Sequence, residues 1–346
     1  MLNLEQAVQG FTGRYSNFLR TIDSHTQGEP TRLLLGGVDL PGKTIAEKRD
    51  IFAARHNNIR MLLTCEPRGH RDMFAAMVTE PVSPEALFGL IYMDARRFPY
   101  LCGHATIGAV TTLVETGAIE VDNGDTVITI DTPSGPLQAH AHIRDGRVES
   151  VGLEMVPSFV SQTGSLLYIP EFGEISIDLV YVGGFFAMVS AADIGIDLIP
   201  ANSNKLISLG MEIIEAANRT LEVRHPQRPE VKTVDVVEFY AEDGKGGEGR
   251  GTSVVIYGQS HMDRSPCGTG TTAKMTLLHH KGKLKPGQVY RNSSPLGTVF
   301  EGEIIRLEKI GNFEGIVALV RGSAVMTGSH QFVIDPQDPF PEGFLL

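Results

Sequence analysis

The sequence predicts an α/β protein built from two similar halves. Three observations carry this: a length beyond one ordinary core, a cysteine-led motif that occurs twice at matching spacing, and strand-like runs that alternate with helix-like ones. At 346 residues the chain supplies two domains, each large enough for a stable interior.

The duplicated motif organises everything else. Asp263-Arg264-Ser265-Pro266-Cys267-Gly268-Thr269-Gly270-Thr271-Thr272-Ala273-Lys274-Met275 runs from a turn into a helix. Residues 253–257 before it are β-branched and apolar, as in a buried strand, and 273–280 has the composition of a helix that ends near Gly282. Cys102-Gly103-His104-Ala105-Thr106 matches Cys267-Gly268-Thr269-Gly270-Thr271 in Cys, Gly and the Thr four places on. Gly117 follows Cys102 by 15 positions and Gly282 follows Cys267 by the same 15, the two copies lying 165 apart. Each thiol is therefore expected at a helix start, where unpaired amides offer donors for an anion and a field that lowers the thiol pKa.

In the first half, a strand is expected over 15–24, followed by a polar turn, His25-Thr26-Gln27-Gly28-Glu29, and extended chain over 32–35. Residues 44–56 are rich in helix formers. Glu66-Pro67-Arg68-Gly69-His70-Arg71-Asp72 is a polar loop between apolar runs at 61–63 and 73–77, and it reads as a surface turn, with a site edge as the alternative. Residues 88–94 form a strand, the first Cys loop and its helix extend to about Thr116, and strands follow over 126–132, 136–143 and 148–155.

The boundary falls near 156–162, which assigns residues 1–157 and 158–329 to the two halves. Beyond it the pattern returns: strands over 174–182 and 185–189, a helix over 203–221 and a strand over 233–240. The glycine-rich run 241–252 lacks the Gly-Lys-Ser/Thr of a phosphate cradle and the order of a dinucleotide fingerprint, so it reads as a flexible hairpin connection. Strands are expected over 299–307, 316–321 and 324–334, with a Pro-rich tail from Pro336.

Composition removes several function classes. Hydrophobic content of 42% with 21% charged residues fits a soluble globular chain, and 30 basic against 41 acidic residues, net −11, argues against nucleic acid or an anionic membrane as partner. Cys65, Cys102 and Cys267 are too few and too odd in number for a disulfide framework, and lack the close pairing of a zinc site. A reducing compartment, the cytoplasm, is expected. The first 25 residues have no continuous apolar run, and 175–200 is interrupted by Asp178, Asp193 and Asp197, so neither a signal peptide nor a membrane span is expected. Cys65, unduplicated and in an apolar run, reads as core; His25 and His70 read as structural hydrogen-bonders, and Lys274 is given no Schiff-base role.

Asp23-Ser24-His25-Thr26-Gln27-Gly28-Glu29, Glu66-Pro67-Arg68-Gly69-His70, Cys102-Gly103-His104 and Asp263-Arg264-Ser265-Pro266-Cys267-Gly268-Thr269-Gly270 together resemble the proline racemase family. The resemblance runs from about Thr21 to the Asp335-Pro336-Gln337-Asp338-Pro339-Phe340 tail, and it implies a diaminopimelate epimerase-like fold of two domains, each a curved sheet round a central helix, with the site in the cleft. It also implies that the tail, residues 330–346, packs back on the first domain, that Asp263 and His104 contact the substrate amine, that Phe74 and Tyr257 are pocket rings, and that a homodimer forms. Racemases and epimerases of this family carry Cys at both positions, whereas the trans-3-hydroxyproline dehydratases replace the second with Thr or Ser.

Two thiols suit stereoinversion for a physical reason. One base must remove the α-proton from one face while an acid delivers a proton to the other, and one residue does not reach both. Charge then grows on the substrate carboxylate, where amides of Gly103, His104, Gly268 and Thr269 are expected to answer it if they converge there, the glycines letting backbone approach closely. The expected function is cofactor-independent racemisation of proline, with no metal. The alternatives are 4-hydroxyproline 2-epimerisation, the dehydratase activity, and a non-catalytic thiol switch.

Overall fold

The computed structural model describes residues 4–15, 18–242 and 249–346. Ser16 and Asn17 of the expected first strand, and Gly244, Gly246 and Gly247 of the glycine-rich connection, lie outside the described residues.

After α1 (Leu4–Arg14), β1 (Phe18–Thr26) and β2 (Glu29–Leu34) form an antiparallel pair. Helices α2 (Ile45–Arg55) and α3 (Asn57–Thr64) cross over to β3 (Phe74–Thr79), parallel to β2 and antiparallel to β4 (Phe88–Asp94). Helix α4 (Gly103–Glu115) then leads to β5 (Gly124–Thr132), parallel to β4, and β6 (Gly135–Arg144) and β7 (Arg147–Glu154) continue as a meander.

The second half repeats this order. β8 (Ser158–Ile169), β9 (Gly173–Val182) and β10 (Phe185–Ser190) form a meander, and the short α5 (Ala191–Ile194) and α6 (Ser203–Thr220) cross to β11 (Val234–Glu242), parallel to β10. β12 (Arg250–Tyr257) pairs antiparallel with β11, so the arms of the glycine-rich connection are hairpin partners. After β13 (His261–Met262), α7 (Gly268–His280) leads to β14 (Val289–Ser293), parallel to β12, and β15 (Val299–Ile310) and β16 (Phe313–Gly322) follow.

β16 also pairs with β8, so the second ladder closes on itself. The first ring closes through a shared strand: residues 319–322 of β16 pair with β7, and β17 (Ala324–Val333), separated from β16 only by Ser323, pairs with β1. Further on, Glu66 and Phe344 form an isolated bridge, and Arg68 pairs with Asp338.

Each ring encloses one helix. In α4 every residue from His104 to Val114 is buried, and its small or apolar side chains on all sides are what an enclosed helix requires. Helix α7 is buried from Gly270 to Leu278. The outer faces are covered too, by α2 and α3 through Ile45, Phe52 and Leu62, and by α6 through Leu206, Leu209 and Ile213. Strands buried on both faces lose their polar alternation, which is why 88–94 reads as a continuous apolar run.

Several elements escape the sequence pattern besides α1, among them β3, α5 and β13. Helix α3 was visible only as the apolar run 61–63. The 12-residue β8 occupies the expected boundary, where Gln162, Thr163, Gly164 and Ser165 and two register shifts hide the alternation. β14 is only five residues long, and its buried Asn292 breaks the apolar alternation. Among the described residues no helix is long and apolar enough to cross a membrane.

Candidate active site

The two enclosed helices meet N-terminus to N-terminus. A Cβ added to Gly103 would lie 4.0 Å from Gly268 Cα and 3.7 Å from a Leu153 methyl, so glycine at this junction lets the helix starts approach. Cys102 is the N-cap of α4 and Cys267 the N-cap of α7, and both keep partial exposure. The amides of Gly103, His104, Gly268 and Thr269 occupy the first turns, where a helix supplies them with no acceptor.

The two caps differ in backbone. Cys102 is extended at φ −148, whereas Cys267 has φ 59 and ψ 123, a conformation that costs a non-glycine residue on the order of 1–3 kcal/mol. It is held there by bonds on both sides: Cys267 N–H donates to Ser265 Oγ at 3.1 Å, and its carbonyl accepts from Thr271 N–H at 2.8 Å. Cys267 Sγ accepts from Gly270 N–H at 3.3 Å and lies 3.4 Å from Thr269 Oγ1. Cys102 Sγ lies 3.1 Å from His104 Nδ1. The His104 ring takes the edge of Phe74 at 4.7 Å between centroids, and its carbonyl accepts from Thr26 Oγ1 at 2.7 Å.

Asp263 is buried and accepts from the N–H and hydroxyl of Ser265 at 2.8 and 2.7 Å. Burial and the Glu29 carboxylate hold its pKa well above the ordinary carboxylate range. Tyr257 stacks on His261 at 4.4 Å between centroids and feels the charge of Asp263 and of both thiols. All nine expected site residues, Phe74, Cys102, Gly103, His104, Tyr257, Asp263, Cys267, Gly268 and Thr269, therefore surround one junction.

The thiol acidity departs from the helix-start expectation. Burial pushes both thiols well up; Asp263 adds to this at each, Glu29 at Cys102 and Glu238 at Cys267. Amide bonds from Ala105 and Gly270 oppose the rise without reversing it. In this closed cleft, desolvation outweighs the helix field. Burial also lowers the His104 pKa to about 4, so its imidazole is neutral at neutral pH.

Four residues at this junction were missed by the motif reading. Glu29 Oε1 pairs with His261 Nε2 at 2.9 Å, and Glu29 Oε2 accepts from Arg264 N–H at 2.8 Å. Asp72 Oδ2 accepts from Arg264 Nη2 at 2.8 Å. Asp72 is only 6% exposed, so the 66–72 loop ends in a buried contact between the halves rather than wholly in a surface turn. Glu29 and Asp72 stand in the stretches the sequence singled out, but no local signal links them to positions near 260. Cys65 is core at 2% exposure, and His25 and His70 each accept a backbone amide.

Two barrels, each round a helix and meeting helix start to helix start, define the diaminopimelate epimerase-like class of fold. Residues 21–345 match the proline racemase family model. Over 334 residues the chain is 39% identical to a proline racemase of Clostridioides difficile, covering 96% of this chain and 99% of the relative. It is 37% identical to a 4-hydroxyproline 2-epimerase of Streptosporangium roseum over 334 residues, 96% and 100% of the two chains. The crystal structure of a probable proline racemase from Agrobacterium radiobacter, with bound carbonate, superposes with a TM-score of 0.85 at 33% identity, over 95% of this chain and 96% of the other. The chain belongs to the proline racemase family, and it is an amino-acid racemase or epimerase, an isomerase.

Proposed function

We propose that the protein interconverts L- and D-proline by a cofactor-independent exchange of protons between Cys102 and Cys267. The observation that carries this reading is the placement of both thiols as N-caps of two helices whose first turns face each other. With the ring held between them, the thiolate of one removes the α-proton while the thiol of the other delivers a proton to the opposite face. The roles exchange when the other enantiomer binds.

The amides of Gly103, His104, Gly268 and Thr269 receive the substrate carboxylate, and their bonds strengthen as α-proton removal pushes charge onto it. Each such preorganised donor is worth about 3 kcal/mol. Asp263, buried and anionic when ionised, receives the ammonium, and that neighbour offsets the field it places on the thiols. His104, neutral beside Cys102, exchanges a hydrogen bond with the sulfur in either protonation state. Phe74 and Tyr257 supply the apolar walls. A homodimer in the cytoplasm, where thiols stay reduced, is the setting in which we place this reaction.

The second reading is 4-hydroxyproline 2-epimerisation, favoured by the Tyr257 hydroxyl, which a ring hydroxyl could use as partner. The test is proton exchange in deuterium oxide. Deuterium should enter Cα without loss of water, and Cys102→Ser and Cys267→Ser should each abolish racemisation. Full racemisation by either single variant would remove the two-thiol assignment, and water loss from trans-3-hydroxyproline would replace it with the dehydratase activity.

A further inference from the structure

Beneath Cys267 the second barrel holds a carboxyl group and an amine that the proposed reaction leaves unused. Glu238, on β11, is wholly buried, and its carboxyl oxygens form no well-aligned hydrogen bond among the described residues, although the Lys274 charge and the Ser253 hydroxyl oppose the rise that burial gives its pKa. Lys274, on α7, is also wholly buried. Its Nζ lies 3.2 Å from the centre of the Tyr240 ring and 3.9 Å from Glu242 Oε1, without a hydrogen bond among the described residues. Glu238 abuts the first turn of α7: a Cβ on Gly270 would lie 3.2 Å from Glu238 Oε2, and Gly270 N–H is the group that donates to Cys267 Sγ.

The first barrel has no counterpart at the matching positions. The duplication offset sets Lys274 against Ala109 and Gly270 against Ala105, both wholly buried in an apolar core. β3, which answers to β11 in strand order, reads Phe-Ala-Ala-Met-Val-Thr. At these matched positions, therefore, the duplicated device carries an acid and a base on one side only.

The groups facing each thiol differ accordingly. Cys102 is faced by His104, by Asp263, Glu29 and Asp94, and by the phenols of Tyr92 and Tyr257. Cys267 is faced by Thr269, Asp263, Glu238 and the Tyr257 phenol. Glu238 faces Lys274, Ser253 and Tyr240, while Lys274 faces Glu242, Lys281 and Lys283. A substrate ammonium at Asp263 relieves both thiols. Glu29 is paired with His261, and Asp94 with Arg97. Glu238 lies behind Gly270, where a ligand in the cleft does not neutralise it.

We propose that Glu238, together with Lys274, is a positioning residue for the proton, making the thiols inequivalent so that, of the two singly ionised forms, the one with Cys102 as thiolate and Cys267 as thiol predominates. The proposal rests on the two-thiol reading above. Burial raises the Glu238 carboxyl to about 8 and lowers the Lys274 amine to about 7. The pair therefore sheds its last proton at about pH 8 and is anionic above it, where it opposes ionisation of Cys267.

The kinetic consequence is specific. Enantiomers have an equilibrium constant of unity, so kcat/KM is equal in the two directions whatever the enzyme form. A bias toward one resting form appears as KM and kcat raised together for the enantiomer that needs the other form. A merely structural Glu238 would not produce that split.

The experiment measures KM and kcat for both proline enantiomers by polarimetry, and the pH dependence of iodoacetamide labelling at Cys102 and Cys267 by peptide mass spectrometry. Wild type should label Cys102 at lower pH than Cys267, with unequal KM values. Glu238→Gln should lower the Cys267 labelling midpoint by about one pH unit, leave Cys102 in place, and narrow the KM ratio by up to about tenfold. A folded Glu238→Gln with an unmoved Cys267 profile overturns the proposal. If Glu238→Gln does not fold, the wild-type order decides: Cys267 labelling at or below the pH of Cys102 overturns it. Full activity in Cys102→Ser and Cys267→Ser, with neither thiol protected by proline, overturns the two-thiol reading instead.

Discussion

Arg264 Nη2 donates to Asp72 Oδ2 at 2.8 Å, a bond between residues 192 positions apart that ties the second half of the molecule to the first. Glu29 reinforces the tie through His261 and the Arg264 amide. Two carboxylates of one half thus hold two basic residues of the other beside the proposed cleft. Asp72→Asn removes one charge and leaves Arg264 with Glu29, 3.6 Å away. The closed form should weaken by about 1 kcal/mol, for a partly exposed pair, and KM should rise about fivefold with kcat changed less. Steady-state kinetics check this; an unchanged KM would show that the pair does not contribute to closure.

What the sequence disclosed and what it hid follow the range of the interactions. Cys102 and Cys267 were legible because a helix start is local: a turn, a cysteine, a glycine and a helical run are adjacent in the chain. The duplication was legible for the same reason. The tie of Asp72 to Arg264 was not, because two polar loops carry no mark of their partnership until the fold closes. Glu238 was hidden differently. A glutamate in Val234–Glu242 reads as the solvent face of a strand, but β11 is covered by α6 on one side and α7 on the other. The thiol acidities were misjudged because the helix field is visible in sequence and the depth of burial is not.

Asp263 should show a conflict between stability and function. Its folded pKa is raised, so the proton is held more tightly in the folded chain, and stability present at low pH is lost as pH rises through the folded value. At neutral pH the buried, ionised carboxylate then costs stability. Asp263→Asn keeps an oxygen to accept from Ser265 and removes the charge. It should unfold later than wild type at neutral pH, by on the order of 2 kcal/mol, while kcat/KM falls about a hundredfold or more. Denaturant titration beside kinetics measures both, and a destabilised Asp263→Asn would mean that the charge is compensated in the free enzyme.

His104 should make the molecule acid-sensitive. Its folded pKa of about 4 lies below the value of about 6.5 for a free imidazole, so the unfolded chain binds more protons between the two, and stability falls as pH falls through that window. The loss reaches on the order of 3 kcal/mol by pH 4. Carboxylates titrate in the same range, so the informative quantity is the difference between wild type and His104→Asn. That difference should shrink steadily from pH 6.5 to 4, and parallel curves would mean that His104 is already charged in the folded state.

Tyr257 decides which ring the pocket prefers. Its ring lies on His261 with 22° between planes, and Arg97 Cζ stands 5.7 Å from its centroid, so the phenol is held from two sides. Phe74 and Tyr257 would close over an unsubstituted pyrrolidine, whereas a ring hydroxyl buried there without a partner costs roughly 1–3 kcal/mol. L-proline and trans-4-hydroxy-L-proline are to be compared by optical rotation in wild type and in Tyr257→Phe. Wild type should prefer proline, and Tyr257→Phe should keep proline activity and leave that preference in place. A wild type that strongly prefers trans-4-hydroxy-L-proline, with the preference reversed in Tyr257→Phe, would mean that the phenol binds the ring hydroxyl as its purpose. The aromatic-wall argument would then be wrong, and 4-hydroxyproline 2-epimerisation would be the reaction.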